Sequence, residues 1–213
     1  MTNPAIFQFL LQCACPLGAA ISDPTAPTCL EDIGEIRAFA IQRTRNGTAL
    51  NQIEIATTDP TLKTTWTDLQ AAADSTKVAF LADIAQITVS GGEPRDVGEG
   101  QGGAQIRKGS TPQVWTAQFQ QIQQDVIRSY EAYQCEPELS IFLINEFGQF
   151  IGLKDADVAA NFRGIPLSNF WVGDKMPGFY AGYDYNGVSW TFLSGWSRYL
   201  HVIQPAFDPL VEL

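Results

Sequence analysis

The run from Gly91 to Pro112 holds 7 of the chain's 18 glycines and lies between two strand-like segments, Ala85–Ser90 and Gln113–Phe119. It offers only Val97 and Ile106 as sizeable aliphatic side chains, and each glycine ordered there loses more backbone freedom than any other residue would. Such a segment cannot enter a core. A structureless connection of this length inside a compact domain is uncommon unless it is functional or disordered, and the segment is read as an extended arm set between two strands. Its candidate site residues are Gly91, Gly92, Val97, Gly98, Gly100, Gly102, Gly103, Ile106, Arg107 and Lys108. The core must come from what precedes and follows the arm.

Most of that material reads as strand. In Glu35–Arg43, Ile36, Ala38, Ala40 and Gln42 alternate against Arg37, Phe39, Ile41 and Arg43, so neither face is purely polar. Asn46-Gly47 follows, a strong hairpin signal because both residues tolerate positive φ, and the partner strand is expected at about Leu50–Ala56. Asn186-Gly187 predicts a second hairpin between Phe179–Tyr185 and Val188–Leu193. Glu146-Phe147-Gly148 predicts a third between Leu139–Asn145 and Gln149–Leu153.

Two helices interrupt the pattern. A short one is expected within Thr65–Ala73, where Leu69-Gln-Ala-Ala-Ala73 has high helix propensity. The second is expected over Gln120–Tyr133, where Ile122, Val126, Tyr130 and Tyr133 recur at helical spacing and are assigned the face that packs on a sheet. Residues 141–213 carry most of the aromatic side chains and read as a half that forms core or interface. The expected organisation is an N-terminal extended segment, residues 1–34, and one β-sandwich or barrel domain, residues 35–213, with one flanking helix and the arm at 91–112.

A net charge of −10 argues against a general basic surface for DNA or anionic membranes. Arg107-Lys108 is too short a basic patch to change that. No apolar run approaches the roughly 18 residues of a membrane span. The segment Ala5–Cys15 lacks the positive n-region of a signal peptide, since no Lys or Arg precedes Arg37, and Gln12 before Cys13 argues against lipid attachment. Production in a cytoplasm is expected, with Cys13, Cys15, Cys29 and Cys135 as reduced thiols.

Catalytic constellations are not evident. His201, the only histidine, sits in the apolar run Tyr199–Ile203, and no Gly-x-Ser-x-Gly elbow accompanies it. The single Cys13-x-Cys15 has no second knuckle, which favours small buried thiols over zinc. Gly98-x-Gly100-x-x-Gly103 matches the dinucleotide fingerprint in spelling only, because no helix can open before Pro112. Glu31-Asp32, Glu136-x-Glu138 and Asp155-x-Asp157 show no contrast of environments that would separate an acid from a base. Asn46-Gly-Thr48 is a formal glycosylation sequon that reads more simply as a turn.

Several segments recur in an order found in a known family: Leu17-Gly and Pro27-Thr-Cys29, the hairpin at Asn46-Gly47, the glycine arm, Ser140–Gly152, and Trp190-Thr-Phe192 with Gly195-Trp196 and Phe207-Asp-Pro-Leu210. In this arrangement the chain resembles tail-tube-like virion proteins of tailed bacteriophages. The N-terminal segment with Cys13-Ala-Cys15 departs from that pattern. The resemblance implies a β-sandwich or barrel with a flanking helix, built into hexameric rings that stack as a tube, with arms bridging rings. It also implies that the partners are further copies of the chain, other virion proteins, and genomic DNA sliding through the lumen without specific binding. No enzyme activity, cofactor, metal or membrane is expected. An acidic lumen would repel DNA phosphates, in keeping with the charge.

The rival within virions is a head–tail connector or auxiliary capsid protein. From another class, a carbohydrate-binding module would use exposed aromatic residues to stack on sugar rings, whereas burial of those residues in one sheet favours the structural subunit.

Overall fold

The computed structural model describes residues 33–81, 84–99, 105–154, 161–178 and 182–213. In chain order the elements begin with β1 (Ile36–Arg43), the two-residue strands β2 (Arg45–Asn46), β3 (Ala49–Leu50) and β4 (Ile53–Glu54), and helix α1 (Lys63–Ala71). Next come β5 (Val78–Leu81), β6 (Ile84–Gly91), β7 (Pro94–Glu99), β8 (Gln105–Ser110), β9 (Gln113–Gln120) and helix α2 (Gln124–Glu131), which ends in a 3₁₀ turn at Ala132–Cys135. The second half holds β10 (Leu139–Asn145), β11 (Phe150–Lys154), β12 (Asn161–Arg163), β13 (Ile165–Met176) and β14 (Tyr185–Phe192). It closes with a 3₁₀ turn at Trp196–Tyr199, β15 (Leu200–Ile203) and the single-turn α3 (Pro209–Glu212). The protein is mainly β, with a large antiparallel sheet and one main flanking helix, a sandwich or barrel-like fold.

Two layers share that sheet. In the first, β1 pairs with β10 on one side and β5 on the other, and β10 continues through β11 to β12, β15 and β4. β13 starts beside β10 and then leaves it to pair with β14, which pairs with β9, and β9 with β6. The second layer is therefore β13-β14-β9-β6. Its inward residues Phe119, Phe170, Val188, Trp190 and Phe192 meet Phe39, Ile41, Ile141 and Leu143 of the first layer in one buried cluster.

The first layer is buried on both faces. Ala38, Ala40, Phe142 and Ile144 point away from the second layer into another cluster, which is built around Trp66 of α1, Phe150 and Phe162 and flanked by Phe207 and Leu210. That double burial explains why neither face of β1 is purely polar and why β10 is apolar on both faces. The loop into α1 is tied down locally: the Thr65 hydroxyl donates to the Asp59 carbonyl at 2.7 Å and the Trp66 indole N–H to the Pro60 carbonyl at 2.8 Å.

Of the three expected hairpins, the one at Glu146–Gly148 forms as read. Leu143 faces Ile151 and Ile144 faces Phe150 across it, and Gly148 takes φ +70°. Buried Asn145 holds the turn, accepting from the N–H groups of Phe147 and Gln149 while its amide donates to the Ile33 carbonyl and Gln149 Oε1. At Asn46-Gly47 the hairpin is only the β2–β3 ladder, with Gly47 and Thr48 between Asn46 and Ala49. The expected long partner at Leu50–Ala56 does not pair with β1, because β10 and β5 already occupy both its edges.

The hairpin expected at Asn186-Gly187 is absent. Both residues lie inside β14, which runs unbroken from Tyr185 to Phe192. Asn186 is buried and donates to the Gly173 carbonyl at 3.0 Å, so its amide serves the neighbouring strand and not a turn.

α1 forms two residues earlier than expected. The second helix is shorter than expected and its face is corrected. Gln120 ends β9, and Gln121 takes φ +57°, which breaks the backbone before the helix begins at Gln124. Ile122 therefore lies outside the helix and does not set its phase. Ile127 is fully buried, while Val126 is 37% exposed. Tyr130, one turn after Ile127, reaches the Phe119 ring at 5.2 Å. The expected N-terminal segment falls almost wholly outside the described residues, as do Cys13, Cys15 and Cys29.

Two carboxylates brace turns around α1. The Thr61 N–H (2.9 Å) and hydroxyl (2.8 Å) donate to Asp59, and those of Thr76 donate to Asp74. Bonds to the charged form hold both carboxyls below their ordinary value of 3.8, at Asp59 chiefly through the Thr61 backbone and at Asp74 chiefly through the Thr76 hydroxyl. Because the folded value is the lower one, the stability these groups contribute is complete above the unfolded value and is lost as pH falls through the folded one. An Asp59→Asn, Asp74→Asn double variant should therefore show a melting temperature that falls less steeply than the parent's between about pH 5 and pH 2. Equal slopes would show that neither carboxylate is linked to folding.

Candidate functional site

The arm grows out of the hairpin made by β6 and β9, which pair from Ile84 opposite Phe119 to Gly91 opposite Gln113. At that point Gly91 and Gly92 take φ +86° and +81° and redirect the chain. A Cβ on Gly91 would stand 2.3 Å from the Pro112 carbonyl oxygen, and one on Gly92 would stand 2.7 Å from Gln113 Nε2. Only glycine fits the first of these positions without moving backbone. Beyond them β7 and β8 pair with each other, Pro94 opposite Ser110, Asp96 opposite Arg107 and Glu99 opposite Gln105.

The arm is thus a two-stranded ribbon with a ladder of its own. Val97 and Gly98 lie in β7, and Ile106, Arg107 and Lys108 in β8. Gly100, Gly102 and Gly103 lie outside the described residues. The strand after Gly98-x-Gly100-x-x-Gly103 replaces the helix that a dinucleotide site requires. At the base, the Thr111 N–H donates to the Glu93 carbonyl at 2.8 Å, and the Ser110 and Ser194 hydroxyls meet at 2.7 Å. These contacts tie the ribbon's root to the segment after β14. Among the described residues, β7 and β8 pair with no strand of the main sheet, and β6 pairs with β9 alone.

The groups weighed for catalysis are dispersed. Glu136 receives a 2.7 Å bond from Arg43, which raises the guanidinium's pKa, and Glu138 lies 3.8 Å from Arg45, so both carboxylates face cations. His201, in β15, meets the Phe162 ring edge-on at 6.3 Å. Cys135 is an exposed free thiol. Among the described residues no three His, Cys, Asp or Glu side chains are grouped to hold a metal ion, and no helix is long and apolar enough to cross a membrane. Glu31, Asp32, Asp155 and Asp157 fall outside the described residues.

The chain matches no protein-family model, no curated protein and no solved structure.

The aromatic residues divide sharply. Phe170, Trp190, Phe192 and Trp196 are buried, with Phe192 and Trp196 stacked at 4.6 Å, and they build the core between the layers. Trp171 and Tyr183 are exposed, and Phe179 and Tyr180 lie outside the described residues. Trp171 projects from the outer face of the second layer. Reading Asn186-Gly187 as a turn concealed that face, since only an unbroken β14 places Gly187 and Ser189 beside Trp171.

Proposed function

We propose that this protein is a non-enzymatic structural subunit of a bacteriophage virion, a tail-tube protein that assembles into stacked, hexameric rings around the passing genome. The observation that carries this reading is the β7–β8 ribbon, rooted by Gly91 and Gly92 and paired only with itself among the described residues. Its outer strand edges are open to a neighbour, and an added strand gains main-chain hydrogen bonds without needing an apolar patch. A sandwich with an apolar core between its two layers supplies the rigid body of such a subunit. The charge of −10 suits a lumen that must not hold DNA.

Deleting Gly92–Ser110 and joining β6 to β9 by a short turn tests this. The truncated chain should melt close to the parent, because no ribbon residue whose side chain is described belongs to either buried cluster. In negative-stain images the parent should form tubes or stacked rings and the deletion should not. A parent that forms closed single rings would move the subunit to a connector. A deletion variant that still polymerises would remove the arm from assembly.

A further inference from the structure

On the outer face of the second layer, Trp171 stands opposite Ser189, Ser189 opposite Thr116, and Thr116 opposite Thr88, one residue from each strand in a row. Beside this row is an open depression of about 370 Å³ whose lining includes Gln86, Gln118 and Tyr185. No lining residue carries a charge, although the chain as a whole carries −10. The Thr88 and Thr116 hydroxyls bond each other at 2.6 Å, and each keeps hydrogen-bonding capacity for a further group.

Gly187 gives this face its meaning. It stands inside β14, where glycine weakens a strand, yet its φ is not in the left-handed region and a Cβ there would meet nothing within 4 Å. Neither turn geometry nor close packing requires glycine at this position. Gly173, next to it across β13, would place a Cβ only in ordinary contact with the Gly187 carbonyl and the Trp171 indole. The consequence of the missing side chains is an open floor beside an indole that is 56% exposed.

We propose that this face binds a short segment of neutral glycan. A sugar ring presents a flat C–H face to stack on the Trp171 indole and hydroxyls to exchange hydrogen bonds with Thr88, Thr116, Ser189, Gln86 and Gln118. The absence of charge excludes an ion-paired ligand. The lining mixes hydroxyl and amide groups with the indole and bare glycine backbone, which suits a ligand that is apolar on one face and hydroxylated at its edge. The volume lies near the lower end of small-ligand sites, about 300–1,000 Å³. The described lining includes no residue of the ribbon, which leaves β6 and β9 at Gly91 and Gln113.

The test applies the purified full-length protein to immobilised neutral polysaccharides (glucans, mannans and galactans) and to polygalacturonate as the anionic control, then titrates a soluble oligosaccharide of the best binder while following tryptophan fluorescence. Binding to at least one neutral glycan, insensitive to salt, is expected. Trp171→Ala should weaken it about tenfold or more. Gly187→Val should weaken it comparably while melting at or above the parent's temperature, since valine suits a strand and finds space there. This second variant separates a filled site from a damaged fold. Failure to bind any neutral glycan, preference for polygalacturonate, or parental affinity in both variants would overturn the proposal. None of these results bears on whether tubes form.

Discussion

Ile127→Asp is expected to destabilise the protein by roughly 3–5 kcal/mol, while the same substitution one residue earlier, Val126→Asp, is expected to change stability by no more than about 0.5 kcal/mol. Ile127 is fully buried in the cluster between the layers, alongside Phe119 and with Tyr130, Tyr133 and Ile122 packed against it. An aspartate there must either desolvate a charge among apolar groups or stay protonated with its polar atoms unmatched. Val126 is 37% exposed and lies in the first turn of α2, where a carboxylate meets the positive end of the helix dipole. Urea titration of both variants checks the pair. Equal losses, or a larger loss at Val126, would mean that the helix presents the face its residue spacing first indicates.

Trp66→Ala should cost about 3–5 kcal/mol as well, by a different route. The Trp66 ring stacks on Phe150 at 3.9 Å and meets Phe142 and Phe80 edge-on at 5.2 and 6.0 Å, and its indole N–H satisfies the Pro60 carbonyl. Truncation leaves a cavity between α1 and the first layer and an unpaired carbonyl at the helix entrance. The melting temperature should fall by roughly 6–20 °C. Hydrogen exchange should show α1 and the segment around Phe207 and Leu210 losing protection before β1 and β10, since β1 and β10 are also held by the cluster between the layers through Phe39, Ile41, Ile141 and Leu143. A fall of less than about 3 °C would show that α1 is a loosely attached layer.

Local chemistry settles a good part of this fold without reference to tertiary contacts. The turn at Glu146–Gly148 was legible because Gly148 supplies a positive φ between two runs that pair at short range. The arm was legible because glycines cannot fill a core, and the strands that flank it were read as strand-like segments on either side. The sequence showed that neither face of β1 is purely polar, and the structure buries both.

What surrounds each segment was decided only by the tertiary structure. Asn186-Gly187 permits a turn but does not demand one, and β9 and β13 flanking β14 give its backbone better partners as a strand. The helix face shifted from Val126 to Ile127 because one left-handed residue, Gln121, resets the phase, and no spacing rule counts across such a break. β1 was expected beside a strand some ten residues on and instead took β10 from the far half of the chain, because pairing between distant segments is selected by the complementarity of whole faces. The uncharged face around Trp171 has the same origin. Its residues come from four strands spread over a hundred positions, and they share a surface only because the ladders of β13, β14, β9 and β6 bring them into one row.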